Sequence, residues 1–355
     1  MSLPLGKADV ATTPTTRRLL RFGQIGYGYW GPLMLRNLAR QENAEVVLLA
    51  DLSEKRLADA ERNHPGLATT NDTAKVLDDP QIDAVYIATP LGTHFDLARQ
   101  ALTAGKHVLV EKPLTGASAE ARELIALAAE KELVLMVGHT FEYSPEVEYL
   151  RQLHISGELG RTYYINSSRL NLGIFRRDAD VIWDLAPHDL SMINYIMGMK
   201  PQAVSARGAS CVHDGLIDVA YIDLKYPENI IAHVHVSWLN PNKERRFTIV
   251  GDRRMVCYDD TAGNEKIKVY DRGVDRPDYA STFGEFQLSY RYGEIVIPFV
   301  QGSEPLAVEC QHFAEAIRTG KAPRSDGEVG LTVVRTLEAA HDSIAQGGIY
   351  IDTNF

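Results

Sequence analysis

The chain has 355 residues, 45% hydrophobic and 24% charged, which is ordinary globular composition and enough apolar material for two packed domains. Its formal net charge of -10, with no block of like charge, makes nucleic acid and anionic membranes poor partners, so an anionic ligand has to meet a local basic site. Three scattered cysteines (Cys211, Cys257, Cys310) without a CxxC argue against a disulfide framework or structural zinc, and read as buried thiols in a reducing compartment.

In chain order, residues 1–19 read as a mobile tail, with Thr and Pro up to about Thr16. This tail has no apolar middle region of a signal peptide. Arg17-Arg18 are followed by only Leu19-Leu20 before a strand begins, and no later run is long enough to span a membrane, so a cytoplasmic location is expected. From Leu20 to about Gly138, short apolar runs alternate with helical periodicity, the pattern of a parallel sheet covered by helices. The runs are Arg21 to Ile25, Val46 to Ala50, Ala84 to Ala88, His107 to Val110 and Leu133 to Val137. Helices are predicted from about Trp30 to Arg40, His94 to Ala104 and Ala119 to Glu130, the last led by Ser118.

After Tyr143-Ser144-Pro145 the pattern changes. A helix to about Gln152 is followed by strands of two-residue alternation, the clearest being Ile230 to Trp238, with Ala232, Val234 and Val236 on one face and His233 and His235 on the other. It is expected to pair with Ile217 to Tyr226 through Pro227-Glu228-Asn229. A second hairpin is expected at Gly251-Asp252, and two helices, about Leu306 to Thr319 and about Val329 to Ala345, close the chain. The fold class is therefore α/β: an N-terminal doubly wound parallel sheet over 20–140, and a C-terminal α+β domain over 141–355 with a large open antiparallel sheet.

The most informative stretch is RFGQIGYGYWG. Gly26 permits a tight turn out of the first strand, Gly28 lets backbone amides approach a pyrophosphate, and Gly31 allows close helix–strand packing, with Tyr29 and Trp30 in the same loop. The strand before it, the helix after it and Asp51 at the end of the next strand, twenty residues past Gly31, make it a dinucleotide-binding pattern. Asp51 is placed for a ribose hydroxyl pair and favours NAD over NADP, while Ser53 and Arg56 leave room for the extra phosphate. Thr89-Pro90 and Glu111-Lys112-Pro113 also follow strand ends and fall at the same crevice. Lys112 there can hydrogen-bond a reacting oxygen and stabilise developing negative charge; an ordinary surface lysine is the alternative.

Asp184 and His188 stand four apart in DADVIWDLAPHDLSM, one helical face, although Pro187 implies a kink or a late start. A carboxylate beside the imidazole would raise its basicity and orient its ring for proton transfer. A metal reading on Asp184, His188 and Asp189, or on His233 and His235, lacks a three-ligand spacing, and no metal is expected.

Together IGYGYWG, ATPLGTH with His94, EKP at 111–113, WDLAPHD and the ending DGEVGLTVVRTLEAAHDS resemble the Gfo/Idh/MocA oxidoreductases over roughly residues 20–352. The resemblance implies an N-terminal Rossmann domain binding NAD. It places the family's catalytic lysine on Lys112, its motif aspartate on Asp184 and its motif histidine on His188, which takes the substrate hydroxyl's proton as hydride leaves for nicotinamide. It also adds His94 to the cofactor site. DLAPH departs from the glycine that many members carry two before the histidine. GYWGP, GHTFEY and RLNLG look like the branch acting on sugars or nucleotide-linked sugars, with oxidation at C3 recurrent. Tyr143, Arg169 and Asn171, with Arg176 and Arg177, are then candidate substrate contacts. The alternatives are a cyclitol dehydrogenase, a keto-sugar reductase or a non-catalytic sugar- and NAD-sensing regulator. A homodimer or homotetramer is expected, because the open sheet has a broad outer face.

Overall fold

The computed structural model describes residues 18–173, 179–275 and 289–355. Arg176, Arg177 and the first seventeen residues of the expected tail lie outside them. The first half runs β1 (Leu20–Ile25), α1 (Gly31–Ala39), β2 (Ala44–Ala50), α2 (Glu54–Asn63), β3 (Ala68–Thr70), α3 (Ala74–Leu77), β4 (Ala84–Ile87), α4 (His94–Thr103), β5 (His107–Glu111), α5 (Ser118–Glu130) and β6 (Leu135–Gly138). Its six strands form one parallel sheet in the order β3-β2-β1-β4-β5-β6. The order reverses between β1 and β4, which opens a crevice at the strands' carboxyl ends. The expected strands and helices are all present. The unexpected α2 buries little beyond Leu57 and Ala60, so its apolar stripe is too thin to stand out in the sequence.

The second half runs α6 (Pro145–Ile155), β7 (Thr162–Leu172), α7 (Val181–Met197), β8 (Ala203–Ala209), β9 (Val219–Lys225), β10 (Ile231–Ser237), β11 (Leu239–Gly251), β12 (Met255–Asp259), β13 (Ile267–Asp275), β14 (Ser289–Val296), α8 (Pro305–Thr319), α9 (Gly327–Ala345) and β15 (Ile351–Asp352). These strands build a nine-stranded sheet in the order β14-β13-β12-β11-β7-β10-β9-β8-β15. The expected hairpins β9–β10 and β11–β12 form. One expectation is corrected. The sheet is mixed, because β7 and β10 pair in parallel at its centre. The chain between them passes through α7, and such a crossover brings a strand back in its original direction.

The inner face of this sheet packs Val234, Val236, Ile222 and Ile249 against Ile182, Ile193 and Leu337 from α7 and α9. The closing helices also reach the first sheet. Cys310 and Phe313 of α8 are buried with Phe22, Met34 and Leu109, and the α9 carboxylate of Glu338 accepts from the Ser118 amide at 2.7 Å. Ser118, expected to lead this helix from just outside it, is thus the first residue of α5 and has its amide capped from α9. The cysteines also need correcting: Cys310 is buried, Cys257 half-buried and Cys211 exposed. Among the described residues no helix is long and apolar enough to cross a membrane.

Candidate active site

The chain leaves β1 through Gly26, whose φ of +99° suits glycine alone and whose hypothetical Cβ would lie 2.3 Å from the Ala88 carbonyl oxygen. At Gly31 a Cβ would lie 2.6 Å from the Gly26 carbonyl oxygen. Inside the turn the buried Gln24 amide donates to the carbonyls of Gly26 and Gly31, at 2.9 and 3.0 Å, and so ties the loop's two ends together. Gly28 differs from the other two. A Cβ there meets nothing within 4 Å, so its missing side chain keeps a space open rather than relieving a clash. No side chain caps α1, which leaves first-turn amides for an anion. Asp51 accepts from the backbone amides of Tyr27 at 2.7 Å and Ser53 at 2.8 Å, and Arg56 stands 3.6 Å from it.

Two cavities meet along this edge. One of about 480 Å³ is bordered by Gly26, Asp51, Arg56, Thr89 and Pro90. Its neighbour, about 240 Å³, is bordered by Gly28, Tyr29, Trp30, Thr89, Glu111 and Lys112. Arg56, Ala88, Thr89 and Pro90 border both, so they make one crevice. His94 is placed differently from the expectation. Its ring is buried between two carbonyls, Nδ1 at 2.8 Å from Pro113 O and Nε2 at 2.9 Å from Thr89 O, so it ties together the loops after β4 and β5 rather than presenting a nitrogen to the cofactor. Glu111 turns its carboxylate toward the sheet, accepting from Tyr86 Oη at 2.6 Å.

Lys112 leaves the end of β5 with its side chain buried. Its Nζ donates to the Asp184 carbonyl at 2.7 Å and lies 3.7 Å from Asp184 Oδ1. The other carboxylate oxygen accepts the Trp238 indole N–H at 3.1 Å. Asp184 and His188 share a face of α7, which starts where Asp180 caps the amides of Ile182 and Trp183 and which runs through Pro187 without a late start. The His188 ring stands edge-on to Phe141, centroids 5.1 Å apart, with Nδ1 buried. Burial holds this imidazole well below the ordinary histidine range, helped by the positive charges of Lys112 and Arg169 and by His139 and Arg245. This corrects the expectation that Asp184 would raise its basicity, since cations and desolvation outweigh the carboxylate.

Two candidate substrate contacts also change. Arg169 sets its fork on buried Asp189, Nε at 2.6 Å and Nη2 at 3.3 Å, and stacks over Phe141, so its two-pronged face is not available to a phosphate. Tyr143 is 3% exposed in the core with its hydroxyl 3.0 Å from Ser325 Oγ, away from the crevice. Asn171, two residues along β7 from Arg169, shares its face and is partly exposed. Among the described residues no three metal-ligating groups converge; His233 pairs with Asp223, and His235 stacks on Tyr221 at the outer face.

Residues 20–139 match the model of an oxidoreductase family with an NAD-binding Rossmann fold, and 147–257 match the Gfo/Idh/MocA C-terminal domain. UDP-N-acetylglucosamine 3-dehydrogenase of Acidithiobacillus ferrooxidans is 33% identical over 257 residues, covering 72% of this chain and 76% of that one. The chain belongs to the Gfo/Idh/MocA oxidoreductases. A scyllo-inositol 2-dehydrogenase (NADP(+)) of Bacillus subtilis is 25% identical over 91% of this chain and 93% of its own. The solved structure of the Acidithiobacillus enzyme superposes with a TM-score of 0.77 at 27% identity, covering 93% of this chain and 99% of that one.

As a member of this family the protein is an oxidoreductase with an NAD-binding Rossmann domain, and its residues fit that cofactor. The open space at Gly28, the uncapped α1 amides and the Asp51 carboxylate are the features a pyrophosphate and a ribose diol require. The sequence reading missed three contributors. Gln24 was detectable as a polar residue in an apolar strand, and His139 as a polar residue directly after a strand end. The Trp238 bond to Asp184 was not, because 54 residues separate them. Gly28→Val should leave the thermal midpoint within a few degrees, since the added atoms enter open space, yet weaken NAD binding at least about tenfold by occupying the cradle. Calorimetric titration beside a melting curve checks both; unchanged NAD affinity would place the pyrophosphate elsewhere.

Proposed function

We propose that this protein transfers hydride between NAD and a secondary hydroxyl or keto carbon of a sugar, a hexose or nucleotide-linked hexose, with oxidation at C3 as the favoured chemistry. The observation that carries the reading is a buried Lys112 that borders the crevice from the end of β5 and is tied to Asp184, one turn before His188 on α7, an imidazole that burial and neighbouring cations push toward its neutral form. A neutral imidazole can take the hydroxyl proton at physiological pH. The Lys112 ammonium can donate to the same oxygen and stabilise the charge that develops there, while Asp184 and Trp238 hold it in place. Bound NAD supplies the hydride acceptor, or as NADH the donor. The buried Lys112 side chain and the largely covered Asp184 carboxylate, 7% and 14% exposed, limit the water that competes for these contacts.

The nucleotide-linked substrate is supported by the similarity to UDP-N-acetylglucosamine 3-dehydrogenase. A cyclitol dehydrogenase is the second reading, favoured by the likeness to a scyllo-inositol 2-dehydrogenase and by the commitment of Arg169 to Asp189. A panel of free hexoses, inositols and nucleotide-linked hexoses with NAD, followed by keto-sugars with NADH, separates them. NADH should form with at least one nucleotide-linked hexose, and Lys112→Ala should lower kcat at least about a hundredfold while still binding NAD. Turnover of inositols alone would move the assignment to the cyclitols; binding of sugar and NAD without hydride transfer by the wild type would indicate a sensor.

The direction of the His188 shift sets the pH profile. A base with a depressed pKa stays unprotonated down to that value, so kcat/KM for oxidation should hold as pH falls through 6.5 and drop only well below it. A midpoint at or above 6.5 would remove His188 from the role of base. We also propose a homo-oligomer built on the outer face of the nine-stranded sheet, where Tyr164, Tyr221 and Ile231 are each more than a third exposed. Light scattering should give a mass at least twice 39.4 kDa.

A further inference from the structure

His139 directly follows β6, as Lys112 directly follows β5, and the two strands are neighbours. Its side chain is 1% exposed, and neither ring nitrogen has a hydrogen-bond partner among the described residues. Two residues on, Phe141 packs edge-on against His188, so the loop that carries His139 lies against the reacting imidazole. His188 has its own buried nitrogen without a partner, Nδ1. Buried ring nitrogens left without a partner forfeit the hydrogen bonds they make to water in the unfolded chain, so each calls for a partner.

For His188 to accept a proton at Nε2, its hydrogen has to sit on Nδ1, and a buried Nδ1–H needs an acceptor. The cations that act on His188 are Lys112 after β5, Arg169 on β7 and Arg245 on β11, and these groups donate but cannot accept. The nearby carboxylates have other work: Asp184 is held by Lys112 and Trp238, and Asp189 by Arg169 and Ser167. Neutral His139 has a ring nitrogen with a lone pair. Burial and the charge of Lys112 push its pKa down to about 3, so the ring remains neutral.

We propose that His139 is a positioning residue that fixes His188 in the Nδ1–H tautomer, the two rings joined by one buried water that accepts from His188 Nδ1 and donates to His139. A buried water with polar partners on two sides is ordinary in protein interiors, and an outer hydrogen bond that sets a reactive ring's tautomer is a recurrent device. The catalytic consequence rests on His188 being the base, the reading given above; the tautomer itself does not.

Histidine labelled with nitrogen-15 tests it without turnover. The His188 signals are assigned by their loss in His188→Gln, and the nitrogen shifts show which atom carries the hydrogen. Wild type should show Nδ1–H. His139→Phe should shift His188 toward the other tautomer, and His139→Gln, which keeps an acceptor, should retain Nδ1–H. With an active substrate, His139→Phe should lower kcat about 10- to 100-fold with KM changed less than about threefold, and His139→Gln should recover most of it. Melting curves show that each variant is folded. An unchanged His188 tautomer in folded His139→Phe overturns the proposal, as does a folded His139→Gln as impaired as His139→Phe. If no substrate reacts with the wild type, the proposed function fails while the tautomer comparison still decides this one.

Discussion

The contact between Lys112 and Asp184 joins the two halves of the molecule. Lys112 comes from the parallel sheet and Asp184 from the first turns of α7 under the mixed sheet, and the ammonium reaches both the carbonyl and the carboxylate of one residue. A buried ammonium is costly unless it is paired and hydrogen-bonded, so this contact favours the arrangement in which the sheets meet. That arrangement also brings the end of β5, which borders the cofactor crevice, beside the helix that carries His188. Trp238 completes the clasp from the mixed sheet, and its indole lies so close to Gly173 that a Cβ there would be 2.7 Å from Cδ1.

Around that clasp the charges divide by depth. Burial, and then the charges of Lys112 and Arg169, push the His188 pKa well below the ordinary histidine value. Beneath the crevice, Glu309 of α8 is fully buried, donor Thr140 meets one of its oxygens, and burial together with the charge of Glu111 pushes its pKa well above the usual carboxylate value. Such a group favours folding at low pH, and its contribution is lost as pH rises toward its raised pKa. The positive charges near His188 and the buried Glu309 carboxyl thus lie on different layers of the molecule.

The C-terminal helices hold this geometry. Ser325, just before α9, accepts the Val137 amide on its carbonyl at 2.8 Å and donates its hydroxyl to the carbonyl of Val137 on β6 at 2.7 Å, two residues before His139. The late part of the chain thereby extends the edge of the first sheet, and Met136 and Asp326 form a bridge there. Chain order and packing do not coincide: α8 belongs by sequence to the second half and by its contacts to the first.

Much of the architecture was legible in the sequence, because strand and helix periodicity, the glycine spacing and the residues at strand ends are local signals. Gly26, Asp51, Lys112 and the pair Asp184 and His188 lie in such segments, and the resemblance gave them roles. The remainder depended on atoms far apart in the chain. Arg169 read as a ligand contact until the structure set Asp189 against its guanidinium, and Tyr143 as a pocket residue until Ser325 met its hydroxyl. Parallel pairing of β7 and β10 came from a crossover that alternation cannot register. The sequence by itself determined which elements form and which side chains stand at strand ends, since backbone propensity and side-chain period act over a few residues. Only the tertiary structure decided the protonation of His188 and the partners of the buried charges, because desolvation and Coulomb energy depend on everything within several ångströms, whatever its place in the chain.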